Sequence, residues 1–259
     1  MRIYGADFSG AKGPEIALVV GNLEDDTLNI ETIRHCDDRL DLYRHIAETP
    51  NEEQLCGLDF PFRLPQAALE KLEVVELHEL AFKHTRTEFA SLLTSRLGKH
   101  EGRCTGATIH CRQTDVECNA YSGVKRINPS LMQMLYSGSK LLSYLHDLGI
   151  ESYPLHEPSN RQLCEVYPSH SWAKVGLPRS TNVRGFVDKF NKRGIMQVEL
   201  PAEYDQVKTQ DIADSIVACI TTAAVQVRDN IYTNWTTKPS FASEAEWAYA
   251  KEEGLIVRI

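Results

Sequence analysis

The order of short apolar segments in the first sixty residues limits this chain to few folds. Residues 1–7, 14–21 and 28–34 predict three strands joined by short turns, residues 38–48 predict a helix, and Gln54–Asp59 predicts a fourth strand. The fourth strand is a nearly uninterrupted apolar run, which is typical of a central strand covered on both faces. The sequence therefore predicts an antiparallel meander followed by a crossover.

The remainder of the chain alternates between helical periodicity and short apolar strands. Residues 65–149 predict a helical insertion that contains a long polar loop at 99–128. No change of composition divides the chain, so we expect a single α/β domain over residues 1–259. The other predicted elements are strands at 150–154 and 162–166, short helices at 169–174 and 183–193, a long helix at 205–228, and an edge strand within Gly254–Ile259.

The composition is that of an ordinary globular protein. Hydrophobic residues make up 42% of the chain and charged residues 25%. The longest clean apolar run near the N-terminus, Ile16–Val20, is too short for a signal peptide or a membrane span. We therefore expect a soluble, cytoplasmic protein that does not enter a membrane.

Charge is distributed unevenly along the chain. The net charge is -8, which disfavours tight binding to long nucleic acids. Residues 1–60 alone have a balance of -8, from 5 basic and 13 acidic residues. By contrast, residues 161–194 carry 7 basic residues against 2 acidic ones, and residues 83–126 carry 8 against 4. These two basic segments indicate either a local phosphate-binding surface or ordinary solvated helices and loops.

The seven cysteines do not suggest a disulfide framework, because their number is odd and no secretion signal is visible. Cys56, Cys164 and Cys219 lie in apolar patterns typical of packed core thiols. Cys104, Cys111 and Cys118 recur every seven residues, near His100 and His110. Zinc sites usually contain a tighter pair such as C-x2-C, so we expect ordinary loop cysteines rather than zinc ligands.

Acidic residues stand at several strand ends. Asp7, Asp59 and Glu165 each follow an apolar strand segment, and Asp211 and Asp214 share one face of the last long helix. Each has a simpler explanation, such as starting a turn or interacting with the first turn of a helix. Several carboxylates at one rim of a sheet would repel each other, and a divalent cation is the usual compensation. Together they predict a metal site.

Five short motifs occur along most of the chain: Gly5–Gly10, Gly57–Pro61, Arg112–Asp115, Cys164–Ser169 and Asp211–Ala218. With these motifs in this order, the chain resembles the predicted RNase H-like nuclease family. Its acids are similar to those of the Holliday-junction resolvase branch of the RNase H-like superfamily. The resemblance implies a mixed sheet, with a three-stranded antiparallel meander plus parallel strands, flanked by helices.

The resemblance also implies a mechanism and a cofactor. Phosphodiester hydrolysis would use two Mg²⁺ or Mn²⁺ ions bridged by Asp7, with Asp214 and Asp59 each completing one ion. Asp211 would supply a further ligand, and Glu165 would act as a third metal ligand or support the others.

The substrate of such a site would be a nucleic acid or a nucleotide. The turn after Asp7 contains Ser9 and could offer backbone N–H groups to a phosphate, while Lys12 and Arg112 could neutralise its charge. For each of these two cations, an ordinary solvated loop residue is the simpler explanation.

Two other functions are compatible with the same residues. One is an ATP-dependent phosphotransferase of the actin-like branch, in which residues 7–10 would form a phosphate loop. The other is a non-catalytic binding module, which the acidic net charge favours. The predicted insertion is longer than that of the resolvases, and this also argues against a DNA junction as the substrate.

Overall fold

The computed structural model describes residues 1–7, 16–48, 53–127 and 130–259. In this part of the chain an open sheet of mostly parallel strands is flanked by helices. The strands are β1 (Arg2–Asp7), β2 (Ile16–Glu24), β3 (Thr27–Cys36), β4 (Gln54–Asp59), β5 (Glu151–Tyr153), β6 (Arg161–Val166), β7 (Gln197–Glu199) and β8 (Ile256–Val257). The helices are α1 (Arg39–Ala47), α2 (Gln66–Leu72), α3 (Leu77–Lys83), α4 (Arg86–Leu97), α5 (Gln113–Glu117), α6 (Leu131–His146), α7 (Pro168–Lys174), α8 (Val183–Asn191), α9 (Gln210–Asp229) and α10 (Glu244–Glu253).

The strand order across the sheet is β5-β6-β4-β1-β2-β3-β7. β1, β2 and β3 form an antiparallel meander, while β4 pairs parallel to β1 and β6 pairs parallel to β4. β8 pairs parallel with the end of β6, beyond the part of β6 that pairs with β5. The carboxyl ends of β1, β4 and β6 therefore meet at one edge of the sheet, where ligands bind in open α/β folds.

Alternating side chains of the strands enter two separate cores. Ile3 of β1 packs into the core on the face covered by α7, α8 and α9, and its neighbour Tyr4 packs on the opposite face with α1 and α6. A third core joins α2, α3 and α4 to α6. Because both faces of the sheet are covered, β1 and β4 are buried along nearly their whole length.

Two glycines bring α9 unusually close to the centre of the sheet. Gly5 and Gly57 are register partners in β1 and β4. A Cβ atom at Gly5 would lie 2.2 Å from the backbone nitrogen of Cys219, and one at Gly57 would lie 2.0 Å from Oγ1 of Thr222. Any side chain at either position would therefore push the helix away, so these glycines set the distance between α9 and the strand ends.

Several predicted elements are confirmed and others differ in their limits. The meander and β4 are present, and α1 begins after Asp38, whose side chain accepts hydrogen bonds from two backbone amides. The predicted helical stretch at 65–98 is three helices, because Glu73 adopts a left-handed conformation and Thr85 starts a new helix through a capping box. The polar loop at 99–128 contains the short helix α5. β7 and α10 were not predicted, because β7 has only three residues and α10 buries only two of its ten side chains.

No helix within the described ranges is both long enough and apolar enough to cross a membrane.

Candidate active site

The carboxylates of Asp7 and Asp59 project from neighbouring positions at the edge of the sheet. The two residues are register partners at the ends of the parallel strands β1 and β4. The backbone N–H of Asp7 donates to Oγ of Ser215 at 2.9 Å, and that hydroxyl donates to the carbonyl of Asp211 at 2.8 Å. Ser215 therefore fixes the end of β1 to the first turns of α9, which places two further aspartates beside the pair.

Asp214, on the first turns of α9, is completely buried and heavily hydrogen-bonded. Its Oδ1 accepts from Nε1 of Trp172 at 2.8 Å and from Nε2 of Gln210 at 3.0 Å, and its Oδ2 forms an ion pair with Arg179. Three donors therefore satisfy this carboxylate within the protein, as burial of a charge requires.

Burial and neighbouring carboxylates raise the pKa values of Asp7 and Asp59. Burial raises the pKa of Asp7 well above the usual range, and the charges of Asp59, Asp214 and Asp211 raise it further, while Arg179 opposes them. Burial likewise raises the pKa of Asp59, followed by repulsion from Asp214. Arg179 is nearly half exposed, at 45%, so its charge is partly screened by solvent. Negative charge at this edge is therefore incompletely balanced by the described residues.

These carboxylates border a cavity of about 700 Å³. Asp7, Asp59 and Asp211 line it, whereas Asp214 lies behind the wall, where Trp172 and Arg179 cover it. A volume of this size is within the usual range for small-molecule sites, roughly 300–1,000 Å³. The cavity can therefore hold a compact ligand directly against three carboxylates.

The cavity is also lined by positive and aromatic groups. The guanidinium of Arg103 lies 4.5 Å from the ring centroid of Tyr121 and donates to the hydroxyl of Tyr167 at 3.4 Å. All three residues line the cavity, as does Arg179 near the acids. A ligand with an anionic group and a flat apolar group would meet complementary surfaces here.

Glu165, predicted as a third metal ligand or a support for the others, and Arg112, predicted to neutralise phosphate, form an ion pair with each other. Arg112 is 2% exposed, and each of its five guanidinium N–H groups has a protein acceptor. Its Nη1 and Nη2 donate to the two oxygens of Glu165 at 2.7 and 2.6 Å. Arg112 therefore has no donor left for a phosphate, and Glu165 is neutralised by a cation of the protein itself.

Asp115 completes this group as a second partner of Arg112. Arg112 donates from Nε and Nη2 to the two oxygens of Asp115 at 3.1 and 2.7 Å. Burial alone would lower the pKa of Arg112, but the charges of Asp115 and Glu165 outweigh burial and raise it. The three residues form a closed ionic cluster, which we call the Arg112 cluster, next to the aspartates.

Two predicted phosphate ligands, Ser9 and Lys12, lie outside the described residues. The residue that the sequence did not single out is Arg179, which the fold brings to Asp214. Its only signal in the sequence is membership of the basic segment 161–194, and nothing there distinguishes it from its six basic neighbours.

The cysteines also differ from expectation. Cys56, Cys164 and Cys219 are buried and form no disulfide, as predicted for core thiols. Cys104 and Cys111, however, form a disulfide with a Cα–Cα distance of 5.7 Å. The expectation of unpaired loop cysteines is wrong for this pair, because the turn between them returns the chain on itself: the backbone N–H groups of Thr108 and Cys111 each donate to the other residue's carbonyl.

Comparisons of the chain with protein-family models, with curated proteins and with solved structures find no match.

Proposed function

We propose that the aspartate-lined cavity binds divalent cations and hydrolyses phosphodiester bonds in a nucleic acid or nucleotide. The observation that carries this proposal is the placement of Asp7 and Asp59 as register partners at adjacent parallel strand ends, with Asp211 on the same cavity. Carboxylates with raised pKa values beside a cavity are typical of functional sites, because such repulsion reduces stability.

The donor set at this site fits magnesium or manganese. Asp7, Asp59 and Asp211 offer only carboxylate oxygens, which these hard cations prefer over nitrogen or sulfur. When bound, such ions polarise the phosphate and lower the pKa of a coordinated water. The carboxylates would hold the ions, and the negative charge that now raises the pKa values of Asp7 and Asp59 would stabilise the bound cations instead.

The sheet supports the resemblance to RNase H-like nucleases. β1, β2 and β3 form a meander, β4 runs parallel to β1, and both β1 and β4 end in an aspartate. A late helix, α9, contributes two more acids to the same edge. The strand order and the positions of these acids match what the resemblance implied for a two-metal nuclease, except that Asp214 lies behind the cavity wall, and they favour that activity over a scaffold role.

Arg179 takes the role that the sequence suggested for Arg112. Its guanidinium lines the cavity, is partly exposed and pairs with a carboxylate of the site. We assign it to the substrate phosphate: its exposed guanidinium would donate to a phosphate oxygen, and cations held by Asp7, Asp59 and Asp211 would offset the negative charge that otherwise repels the phosphate. Asp214 keeps its bonds from Trp172 and Gln210 and holds the first turns of α9 in place.

The experiment is a cleavage assay with Mn²⁺ on single strands, RNA–DNA hybrids, four-way junctions and dinucleotides. Replacing Asp7 or Asp59 with Asn should reduce cleavage by more than the roughly 10–100-fold typical of residues that only support a metal ligand. The matched control is Asp25→Asn, which removes the same charge from an exposed turn between β2 and β3.

Equal cleavage by Asp7→Asn and Asp25→Asn would show that the activity belongs to a contaminant. Turnover of ATP by the wild type, without cleavage of any phosphodiester, would instead favour the phosphotransferase. A protein that binds nucleic acid equally with and without Mn²⁺, and cleaves nothing, would favour the binding module.

A further inference from the structure

A second group of metal-binding side chains lies in the loop between α4 and α5. His100, Cys104 and Cys111 each offer one ligand atom, and the three atoms lie within 4.8 Å of one another. Both cysteines are only 2% exposed, while His100 is partly accessible. The group contains nitrogen and sulfur rather than carboxylate oxygen, so its chemistry differs from that of the aspartate-lined cavity.

The distance between His100 and Cys111 suits two ligands of a tetrahedral ion. Sγ of Cys111 lies 3.5 Å from Nε2 of His100. In a zinc site with Zn–S bonds of about 2.3 Å and Zn–N bonds of about 2.0 Å, tetrahedral angles place a sulfur and a nitrogen ligand roughly 3.5 Å apart. Cys104 and Cys111 already have their sulfur atoms together, and their Cα atoms are 5.7 Å apart. The backbone therefore presents all three ligand atoms to one point.

Contacts outside the group hold these ligands in place. The backbone N–H of Cys104 donates to the carbonyl of Ala120 at 2.8 Å. The ring of His110 stacks on that of His100 with centroids 5.4 Å apart, and Nε2 of His110 lies 2.7 Å from the carbonyl oxygen of Leu97. Support of this kind orients metal ligands before the ion arrives.

We propose that His100, Cys104 and Cys111 bind one zinc ion when the Cys104–Cys111 disulfide is reduced. A dithiol reductant supplies two electrons and two protons to the disulfide and is itself oxidised to a disulfide. The two thiols formed then release two protons to solvent as their sulfurs bind the ion. The same two sulfurs thus serve either as a covalent bond or as two zinc ligands. This revises the expectation from the sequence, where the spacing of the cysteines argued against zinc.

The position of the group links it to the cavity. Cys104 follows Arg103 and Cys111 precedes Arg112, and both arginines line the cavity. Either the disulfide or the zinc ion closes the loop that carries them. The zinc site does not depend on the proposed hydrolysis, and its test needs no enzymatic activity.

The test measures zinc in tag-free protein that has been reduced, loaded with one equivalent of zinc and passed over a desalting column. We expect about one zinc ion per chain in the wild type. Cys104→Ser and His100→Gln should each retain at least about tenfold less, since each removes a ligand. The matched control is Cys118→Ser, which changes a buried cysteine at the end of α5 whose sulfur accepts a hydrogen bond from Nη1 of Arg258 at 3.8 Å, and it should retain the full equivalent.

A second readout is cobalt substitution. Co²⁺ bound by thiolates gives an intense charge-transfer absorption, which should appear in the reduced wild type and in Cys118→Ser and be absent in Cys111→Ser. His100→Gln alters a partly exposed side chain, so a loss of metal by that variant with an unchanged melting temperature would reflect ligation rather than misfolding. Reduced wild type that retains no zinc, or variants that retain as much zinc as Cys118→Ser, would overturn the proposal.

Discussion

Two groups of carboxylates lie side by side at the same edge of the sheet and differ in how completely their charge is neutralised. Glu165 and Asp115 share Arg112, which gives hydrogen bonds to all four of their oxygens. The negative charge of Asp7 and Asp59 is offset mainly by Arg179. This arginine is nearly half exposed and forms its ion pair with another residue, Asp214. The two groups are neighbours because Asp59 and Glu165 lie on the adjacent strands β4 and β6, where Leu58, next to Asp59, is the register partner of Glu165.

This difference in neutralisation suggests a structural role for the Arg112 cluster and a binding role for the aspartate pair. The Arg112 cluster joins β6 to α5, and the backbone N–H of Phe62 adds a further bond to Glu165 at 3.0 Å. Such a network fixes the protein without needing any ligand. The aspartate pair, in contrast, reduces stability through repulsion and opens onto a cavity. Within the described residues, one carboxylate group is fully neutralised and its neighbour is less well balanced, as expected if the second group serves the proposed cation binding.

The largest effect on this comparison is expected from a substitution of Arg112. Replacing it with Met should lower the free energy of unfolding by roughly 3–5 kcal/mol, because Glu165 and Asp115 would become buried charges without a partner. Denaturant unfolding measures the loss. The control is Arg34→Met, which removes an exposed pair with Glu48 at 3.5 Å and should cost no more than about 1 kcal/mol. Equal losses in the two variants would show that the Arg112 cluster adds no special stability.

Adding a divalent cation should stabilise the protein through the aspartate pair. If Mn²⁺ binds the aspartates, a concentration of one hundred times its Kd stabilises the wild type by about 2.7 kcal/mol through mass action. Thermal unfolding with and without chelator measures this gain. Asp59→Asn should lose most of it, whereas Asp25→Asn should keep it. A wild type that gains nothing at saturating Mn²⁺ would remove the metal site from the proposed function.

Removal of Arg179 should have an intermediate effect. Arg179→Met leaves Asp214 with two donors, Trp172 and Gln210, and a higher pKa that favours protonation. We expect a loss of about 1–2 kcal/mol, below that for Arg112, because Arg179 is partly solvated. The loss should shrink at high salt and in the presence of Mn²⁺. A loss as large as that for Arg112 would mean that Arg179 is a structural cation and is not available to a phosphate.

The smallest expected effect is a gain in stability when Asp7 is replaced by Asn. Burial and repulsion raise the pKa of Asp7 in the folded state, so the folded protein resists its ionisation more than the unfolded chain does. Stability is therefore lost as pH rises from the ordinary pKa of an aspartate through the raised one. In chelator at neutral pH, Asp7→Asn should raise the Tm by roughly 2–4 °C, equivalent to about 1 kcal/mol for a chain of this size.

A pH series tests that sign. The advantage of Asp7→Asn over the wild type should diminish as the pH falls, because the wild-type carboxyl then takes up a proton and loses its charge. Circular dichroism melts between neutral and mildly acidic pH would follow the difference. A variant that melts below the wild type at every pH would show that Asp7 stabilises the fold as an anion.

The sequence allowed prediction of the parts of the fold that follow from local pattern. Short apolar segments predicted β1 to β4 with an aspartate at the ends of β1 and β4. The parallel register of these two strands in the structure places Asp7 beside Asp59. The site acids came from the same reasoning, since strand ends and helix turns are local features. What the sequence did not reveal are pairings made across the fold. Arg112 meets Glu165 over a separation of 53 residues, and Arg179 meets Asp214 over 35.

Composition also concealed the smaller elements. β7 has one buried residue among three, and α10 buries only two of ten side chains, so neither has a clear periodic pattern. The Cys104–Cys111 pair was missed because its spacing matches no common motif, while the turn that closes it depends on backbone hydrogen bonds. Local signals therefore identified the acidic residues, and only the tertiary structure identified the cations beside them.

The bond from the backbone of Asp7 to Ser215 spans 208 residues of the chain. During synthesis, β1 therefore leaves the ribosome long before α9 has been made. A nascent chain can pair β1 with β2 before Asp211 and Asp214 exist. The four carboxylates come together only after α9 has been made, and a chain terminated before α9 lacks half of the acidic set.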